Sequence, residues 1–408
     1  KLDEAEEIIN STNYQIDILN ENDYLEQARV IAAFYNVSGL IQWHQNNLDG
    51  ALTYFQKSLR LTEQYGEPES ITFSLSNIGS IYWLKGDLDT ALKYFQRSLE
   101  IDKSTGIPSH IAAAQNNVGL IYAAQGELDT AIEYYQQSLA IRESLGNPSD
   151  IAATLSNISD YYRLKGDLNA SLEYSQKSLE YREKVGNDIL TSVTLFNLLA
   201  ITIDQHKPQL SQKYFLRMQE LYKRTPNKSI EIFRDFAQAL ILKTSSVTKD
   251  RLKAQEKLNE IIKTAEHFQI VTRAIIYLCE ILIEEIESTG EKDKLEQAKN
   301  LVDQLHSLSK EQKSFYLNVQ ALLIHVQFAL VEGKLPQAMN YLDQAIITAE
   351  EKNLGLLIKK VDQEKQRLEE NYAKWEKLIQ ENTPLQERLK QADIIRYIQD
   401  AQRFLGLE

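Results

Sequence analysis

Ser76-Asn77-Ile78-Gly79-Ser80-Ile81-Tyr82-Trp83-Leu84-Lys85-Gly86-Asp87-Leu88-Asp89-Thr90-Ala91-Leu92-Lys93-Tyr94-Phe95-Gln96-Arg97-Ser98-Leu99 is answered 40 residues later by Asn117-Val118-Gly119, then Gly126-Glu127-Leu128-Asp129-Thr130-Ala131, then Tyr134. One more step gives Asn157-Ile158-Ser159, Gly166-Asp167-Leu168 and Tyr174, and one step upstream stand Gly39, Leu48, Ala51 and Tyr54. Self-similarity at a fixed period of this length marks a stack of supersecondary units, each burying its apolar face against its neighbours.

Within each unit the first segment sets apolar or small residues at helical spacing. They are Leu75, Ile78, Gly79 and Tyr82, then Gln115, Val118, Gly119 and Tyr122, then Leu155, Ile158, Ser159 and Tyr162. This is the 3.6-residue period of an amphipathic helix. Gly86, Gly126 and Gly166 are placed to end that helix in the left-handed conformation. Asp87 and Asp167 are expected N-caps of the second helix, and Glu127 a weaker one. That second helix is expected to bury Leu88, Ala91, Leu92, Phe95 and Leu99. The return loops carry Gly66, Gly106, Gly146 and Gly186, with Pro68, Pro108 and Pro148 following; Gly then Pro stops one helix and restarts the next. Ser149 is expected to cap the helix that follows.

The pattern resembles the tetratricopeptide repeat, with a small residue on the first helix, an aromatic three residues on, and Gly-x-x-x-x-Ala opening the second. The residues that carry the resemblance are Gly79/Tyr82/Gly86/Ala91, Gly119/Tyr122/Gly126/Ala131 and Ser159/Tyr162/Gly166/Ser171. The family norm is about 34 residues; the period of 40 here lengthens both helices by about a turn. With its Leu145-Gly146-Asn147 loop, this longer form is similar to Pins-type polarity adaptors and kinesin light chains. The resemblance implies an all-α, right-handed superhelical solenoid of antiparallel helix pairs.

The expected organisation is a partial repeat or N-terminal cap over 1–28, where Leu2, Ala5, Ile8 and Ile9 look like a second helix without its first. A regular array follows over 29–205, then degenerate repeat-like pairs over 206–352 (the alternative there is a separate helical domain), then C-terminal capping helices over 353–408. Helices are expected at about 189–205, 208–224, 228–243, 248–266, 267–287, 291–309, 310–332 and 335–351, followed by a charged helix over 354–381. Thr383 reads as the N-cap of one last helix, with Pro384 at its first position and apolar residues from Leu385 to Phe404. That helix either caps the preceding pair or is an amphipathic segment that folds back into the groove or binds a partner helix.

The totals agree with a helical scaffold: 408 residues, 43% apolar, 15 glycines and 7 prolines. The single Cys279 excludes an intramolecular disulfide framework and points to a reducing, cytoplasmic setting. No stretch approaches the roughly 20 apolar residues of a membrane span, so no membrane insertion is expected. Net charge is −13, all of it in residues 1–200, with 14 Lys+Arg against 27 Asp+Glu, whereas residues 201–408 balance at 31 each. Such a field disfavours nucleic acid and favours a protein or peptide partner of basic character.

No catalytic or cofactor chemistry is legible. His44, His110, His206, His267, His306 and His325 are scattered without metal-ligand spacing, and no Gly-x-Ser-x-Gly, P-loop or dinucleotide motif occurs. Glu284, Glu285 and Glu287 read as an exposed charge run. In the family geometry the first helices line the concave face. The residues that face it are Phe73, Asn77, Ser80 and Leu84; Ala113, Asn117, Leu120 and Ala124; Ala153, Asn157, Asp160 and Leu164; and Val193, Asn197, Ala200 and Asp204. Asn77, Asn117, Asn157 and Asn197 thus recur at one register, where Asn is a poor helix former. Its amide matches the donor and acceptor of a peptide unit. Helix pairs about 10 Å apart and a peptide rising about 3.3 Å per residue would put one Asn on roughly every third residue. The resemblance implies the same peptide contact; the alternative is that each Asn bonds to the neighbouring repeat. Trp43 and Trp83 are candidate anchors or packing residues, and Asp160 and Arg163 add charge to the groove. The carboxylate clamp of some relatives is absent, because positions 76, 77, 80, 116, 117 and 120 hold no Lys or Arg. The expected function is a non-catalytic adaptor holding an extended peptide; the alternative is a ligand-responsive sensor module of a larger regulator.

Overall fold

The computed structural model describes residues 21–404 apart from 46, 126, 266–267, 312–313 and 352–354. The Leu2–Ile9 pattern, Gly126, His267 and the Phe404 side chain lie outside the described residues. Among the described residues the chain is helical throughout, with short loops. The regular part comprises α1 (Glu21–His44), α2 (Leu48–Tyr65), α3 (Pro68–Leu84), α4 (Leu88–Thr105), α5 (Pro108–Gln125), α6 (Leu128–Leu145), α7 (Pro148–Leu164), α8 (Leu168–Val185), α9 (Asp188–Asp204) and α10 (Pro208–Arg224). Pairing continues through α11 (Lys228–Lys243), α12 (Thr248–Thr264), α13 (Phe268–Thr289), α14 (Lys292–Glu311), α15 (Phe315–Glu332) and α16 (Leu335–Glu351). Last come α17 (Gly355–Gln380), α18 (Leu385–Ala392) and α19 (Ile394–Phe404).

The chain divides into two compact units, Lys1–Ile121 and Tyr122–Glu408. In the first, α1 packs on α2 and α3 on α4, and α2 joins the pairs by stacking on α3. In the second, α7/α8, α9/α10, α11/α12, α13/α14 and α15/α16 are the pairs, and each second helix also packs on the next first helix. This is the all-α helix-pair stack of a tetratricopeptide-type solenoid.

The repeat signature has direct physical causes. Gly79 faces the buried Phe95 ring so closely that a Cβ there would lie 2.7 Å from a ring carbon. Two repeats later both residues are serine, and the Ser159 hydroxyl lies 2.7 Å from that of Ser175. The aromatic position stacks on its partner in the second helix, Tyr82 on Tyr94 with centroids 5.7 Å apart and Tyr162 on Tyr174 at 5.3 Å. The helix-ending glycines Gly86 and Gly166 take φ of 77° and 81°, the left-handed region that admits Gly without strain. A further periodic bond has no counterpart in the family signature. The buried Ser58, Ser98 and Ser178 hydroxyls donate to the Ala32, Thr72 and Ala152 carbonyls, each 26 residues earlier on the paired first helix.

Asp87 and Asp167 cap their helices through side-chain bonds to the Thr90 and Ala170 amides, and Glu127 makes no such bond. Other termini depart from the sequence reading. The cap of α7 is Asn147, whose side chain accepts from Ser149 N; Ser149 lies inside the helix, because Pro148 already occupies its first position. At the C-terminus Pro384, not Thr383, is the capping residue, and the expected single helix is broken by Asp393 at φ 53° into α18 and α19. The supposedly exposed glutamates are also enclosed: Glu285 is buried and Glu284 half-buried. The cause is that α12, α14, α18 and α19 all pack around α13. Helix α15 is the one described helix long and apolar enough to cross a membrane, contrary to the expectation that no stretch qualifies, and 78% of it is buried within the fold.

Helix α19 does not sit behind the last pair. It packs on α13 and α15 and touches α7, which are all first helices of their pairs. Ile394, Tyr397, Ile398 and Ala401 form its buried face. Its polar edge is fixed as well: the Tyr397 hydroxyl donates to Glu364, Lys360 pairs with Asp400 at 3.0 Å, and the Gln402 amide donates to Glu280 at 2.8 Å.

Candidate functional site

In the first unit the predicted groove residues lie on α1, α3 and α5. Asn77 is half-buried, and its amide nitrogen is enclosed with no hydrogen-bond partner among the described residues. Asn117 is half-buried on α5. The Ser80 hydroxyl donates to its own helix, at the Ser76 carbonyl 2.9 Å away. Trp43 sets its ring edge against Phe55 of the same pair, with centroids 6.5 Å apart at 86°, and Trp83 is half-buried. A largely apolar cavity of about 470 Å³ opens here, lined among others by Ala33, Val37, Tyr65, Phe73 and His110.

In the second unit Asp160 and Arg163 stand on α7 and Asn197 and Asp204 on α9. The Arg163 guanidinium meets Asp204 at 3.0 Å. Asn157 is half-buried and engaged with neighbouring groups. Burial pushes the Asp160 carboxyl up to about 7, against the pull of the Arg163 and Arg273 guanidiniums.

A cavity of about 820 Å³ opens beside these residues. Its walls come from the ends of α7 (Arg163, Leu164), α9 (Ala200, Asp204) and α11 (Leu240, Lys243), from Tyr277, Glu280 and Glu284 on α13, and from Gln399 and Gln402 on α19. Leu164, Ala200 and Asp204 are three of the positions that the repeat register assigns to the ligand face. The volume falls in the range of about 300–1,000 Å³ typical of ligand sites. A smaller niche shares Arg163, Ala200, Tyr277 and Gln402 with it and adds Phe196, Asn197 and Arg273.

The walls are polar and internally paired. Lys243 meets Glu280 at 2.6 Å and Glu284 at 3.5 Å, and Arg251 meets Glu284 at 2.8 Å. Burial works against the Lys243 charge, but the two glutamates beside it hold its pKa above the ordinary lysine value. Burial raises the Tyr277 hydroxyl, which therefore stays protonated. Such a surface presents fixed donors and acceptors. Among the described residues no group of three His, Cys, Asp or Glu side chains is arranged to hold a metal ion.

Arg163 is brought against Asp204 and shares the niche with Asn197, whereas the α11, α13 and α19 walls lie outside the repeat register. One signal was available: Glu280 interrupts the apolar run Ile275–Ile283, and a carboxylate in such a run needs a partner.

The sequence model of the tetratricopeptide repeat matches residues 29–104, 70–144, 110–184 and 150–224. No curated protein matches the chain in sequence. Solved structures of similar fold include aspartyl phosphate phosphatase F from Bacillus subtilis, with a TM-score of 0.57 and 11% identity over 69% of this chain and 72% of that one. The Rap conjugation gene regulator of the plasmid pLS20, in complex with the Phr* peptide, gives 0.54 and 14% over 72% and 78%. The apo form of the quorum sensor NprR from B. thuringiensis gives 0.51 and 15% over 85% and 93%. At these identities the likeness is one of fold. The repeat matches and the observed stack of helix pairs make this chain a tetratricopeptide repeat protein over residues 29–224.

Proposed function

We propose that the protein is a non-catalytic interaction module that holds an extended peptide segment against the first helices of its repeats. One observation carries this reading. The 820 Å³ cavity is lined by Leu164, Ala200 and Asp204, residues that the repeat register alone assigns to the ligand face. The enclosed, unpartnered Asn77 amide nitrogen supports it, because a buried donor left unpaired costs about 1–3 kcal/mol until an acceptor arrives. The acidic excess of residues 1–200 favours a ligand that is basic over much of its length. A pull-down comparing wild type with Asn157→Ala/Asn197→Ala tests the reading. Loss of bound peptide or protein with an unchanged melting midpoint is expected; a folded double variant that keeps every partner overturns it.

One feature favours a regulatory use of the same site. Gln399 and Gln402 bring the C-terminal helix into the cavity wall, so a ligand there bears directly on that helix.

A further inference from the structure

Helix α19 rests on a surface that is partly apolar and partly charged. Its buried face, Ile394, Tyr397, Ile398 and Ala401, recurs at i, i+3, i+4 and i+7. Beneath it lie Glu280 on α13 and Lys360 and Glu364 on α17. Glu280 and Glu364 are only 3% and 6% exposed. Each of these groups is answered from α19: the Gln402 amide donates to Glu280, Asp400 accepts from Lys360, and the Tyr397 hydroxyl donates to Glu364. Burial lowers the Lys360 pKa in spite of Asp400, so this ion pair is kept from water at a cost. Charged side chains are rarely enclosed in a permanent core. Contacts that form and break are more polar than obligate ones.

The surface does not depend on α19 for its partners. Without that helix Glu280 keeps Lys243 at 2.6 Å, Glu364 keeps the Gln327 amide at 2.6 Å, and Lys360 keeps Gln320 at 3.2 Å. Departure of α19 therefore orphans none of the three, and water can supply what is lost. A pivot is also present, because α19 is set off from α18 at Asp393, with φ of 53°. With 11 residues, α19 is too short to be a stable helix in water, so its docking and its folding are one event.

We propose that the surface formed by α13, α15 and the Lys360/Glu364 side of α17 is a docking site for an amphipathic helix of a partner protein, and that α19 is the chain's own occupant of it. The contacts of α19 define the partner. It presents apolar residues at i, i+3, i+4 and i+7, a carboxylate at i+6 for Lys360 and a hydrogen-bond donor at i+8 for Glu280. This is recognition of a helix in a groove, in which one helix excludes the other. The 820 Å³ cavity lies beside α19 and this surface beneath it, so the proposal goes beyond the peptide reading and does not rest on it.

The test uses the full chain and a fluorescent, N-acetylated and C-amidated peptide of residues 393–404, titrated at neutral pH and read by anisotropy. In wild type α19 competes in cis, so the apparent affinity is reduced by the fraction of molecules whose surface is open. Asp400→Lys in the chain sets a cation against Lys360 and leaves the surface itself unaltered. That variant should bind the unmodified peptide at least about tenfold tighter than wild type does, a gain of about 1.4 kcal/mol. The peptide carrying Asp400→Lys should bind the same variant chain at least about tenfold more weakly than the unmodified peptide. Gln402→Ala in the chain should tighten binding several-fold and provides the reading if Asp400→Lys does not fold. A helix that is a fixed part of the fold predicts no such gain. Folded Asp400→Lys or Gln402→Ala chains that bind no tighter than wild type, or equal binding of the two peptides, overturn the proposal. Absence of binding to every chain overturns it as well and leaves the reading of the cavity standing.

Discussion

The Ser159 hydroxyl lies 2.7 Å from the Ser175 hydroxyl, in the places that Gly79 and Phe95 occupy 80 residues earlier. The two pairs solve one packing problem in two ways, a ring against a bare backbone or a hydrogen bond between two small side chains. Mixing them should fail. Gly79→Ala sets a methyl against a ring that is 1% exposed and has no room to move. A loss of about 1–3 kcal/mol is expected in urea unfolding. Ser175→Phe alone should destabilise similarly, and adding Ser159→Gly should recover most of that loss. A double variant no more stable than Ser175→Phe would show that the pairs are not interchangeable.

His325 makes stability depend on pH. Its ring stacks on Tyr341 at 4.9 Å and stands 3.4 Å from Asp303. Burial lowers its pKa to about 4, with Lys299, Lys310 and His306 adding to the effect and Asp303 opposing it. The folded state therefore binds fewer protons than the unfolded chain between about pH 4 and 6.5, and stability falls as pH drops through that window. The full effect corresponds to about 3 kcal/mol. Melting curves of wild type and His325→Gln should converge toward pH 4 and separate above pH 7. Parallel curves across the window would exclude His325 as the cause.

Ile398 anchors α19 through a fully buried side chain. Ile398→Ala should cost about 2–5 kcal/mol if the helix stays docked. An 11-residue helix released from its packing is not stable in water, so undocking would also melt it. Hydrogen exchange separates the two outcomes. We expect amides of 394–404 to lose protection while those of α7 to α10 keep theirs; uniform loss would mean that α19 is inseparable from the unit.

How far the sequence reached follows from the range of each interaction. Helix limits from 188 to 351 were readable to within five residues, the largest error being the start of α15 at Phe315 where 310 was expected, because amphipathic period and Gly/Pro punctuation are local. The Asn147 cap was misassigned to Ser149 because two capping residues flank Pro148 and only the backbone chooses between them. The break at Asp393 carries no Gly or Pro, so nothing in the string marked it. Arg163 and Asp204 could be paired from the repeat register, since they lie about one period apart. Gln402 and Glu280, 122 residues apart and in no shared period, could not.

A stack of helix pairs ordinarily unfolds like a row of coupled beads, with its ends the first to open. In the second unit α19, the last described helix, touches α7. That contact joins segments more than 200 residues apart in sequence and turns an open row into a closed one. Opening α19 must break contacts with α7, α13 and α15 together, so the second unit should melt in one steep transition where an open array of its length would melt in stages.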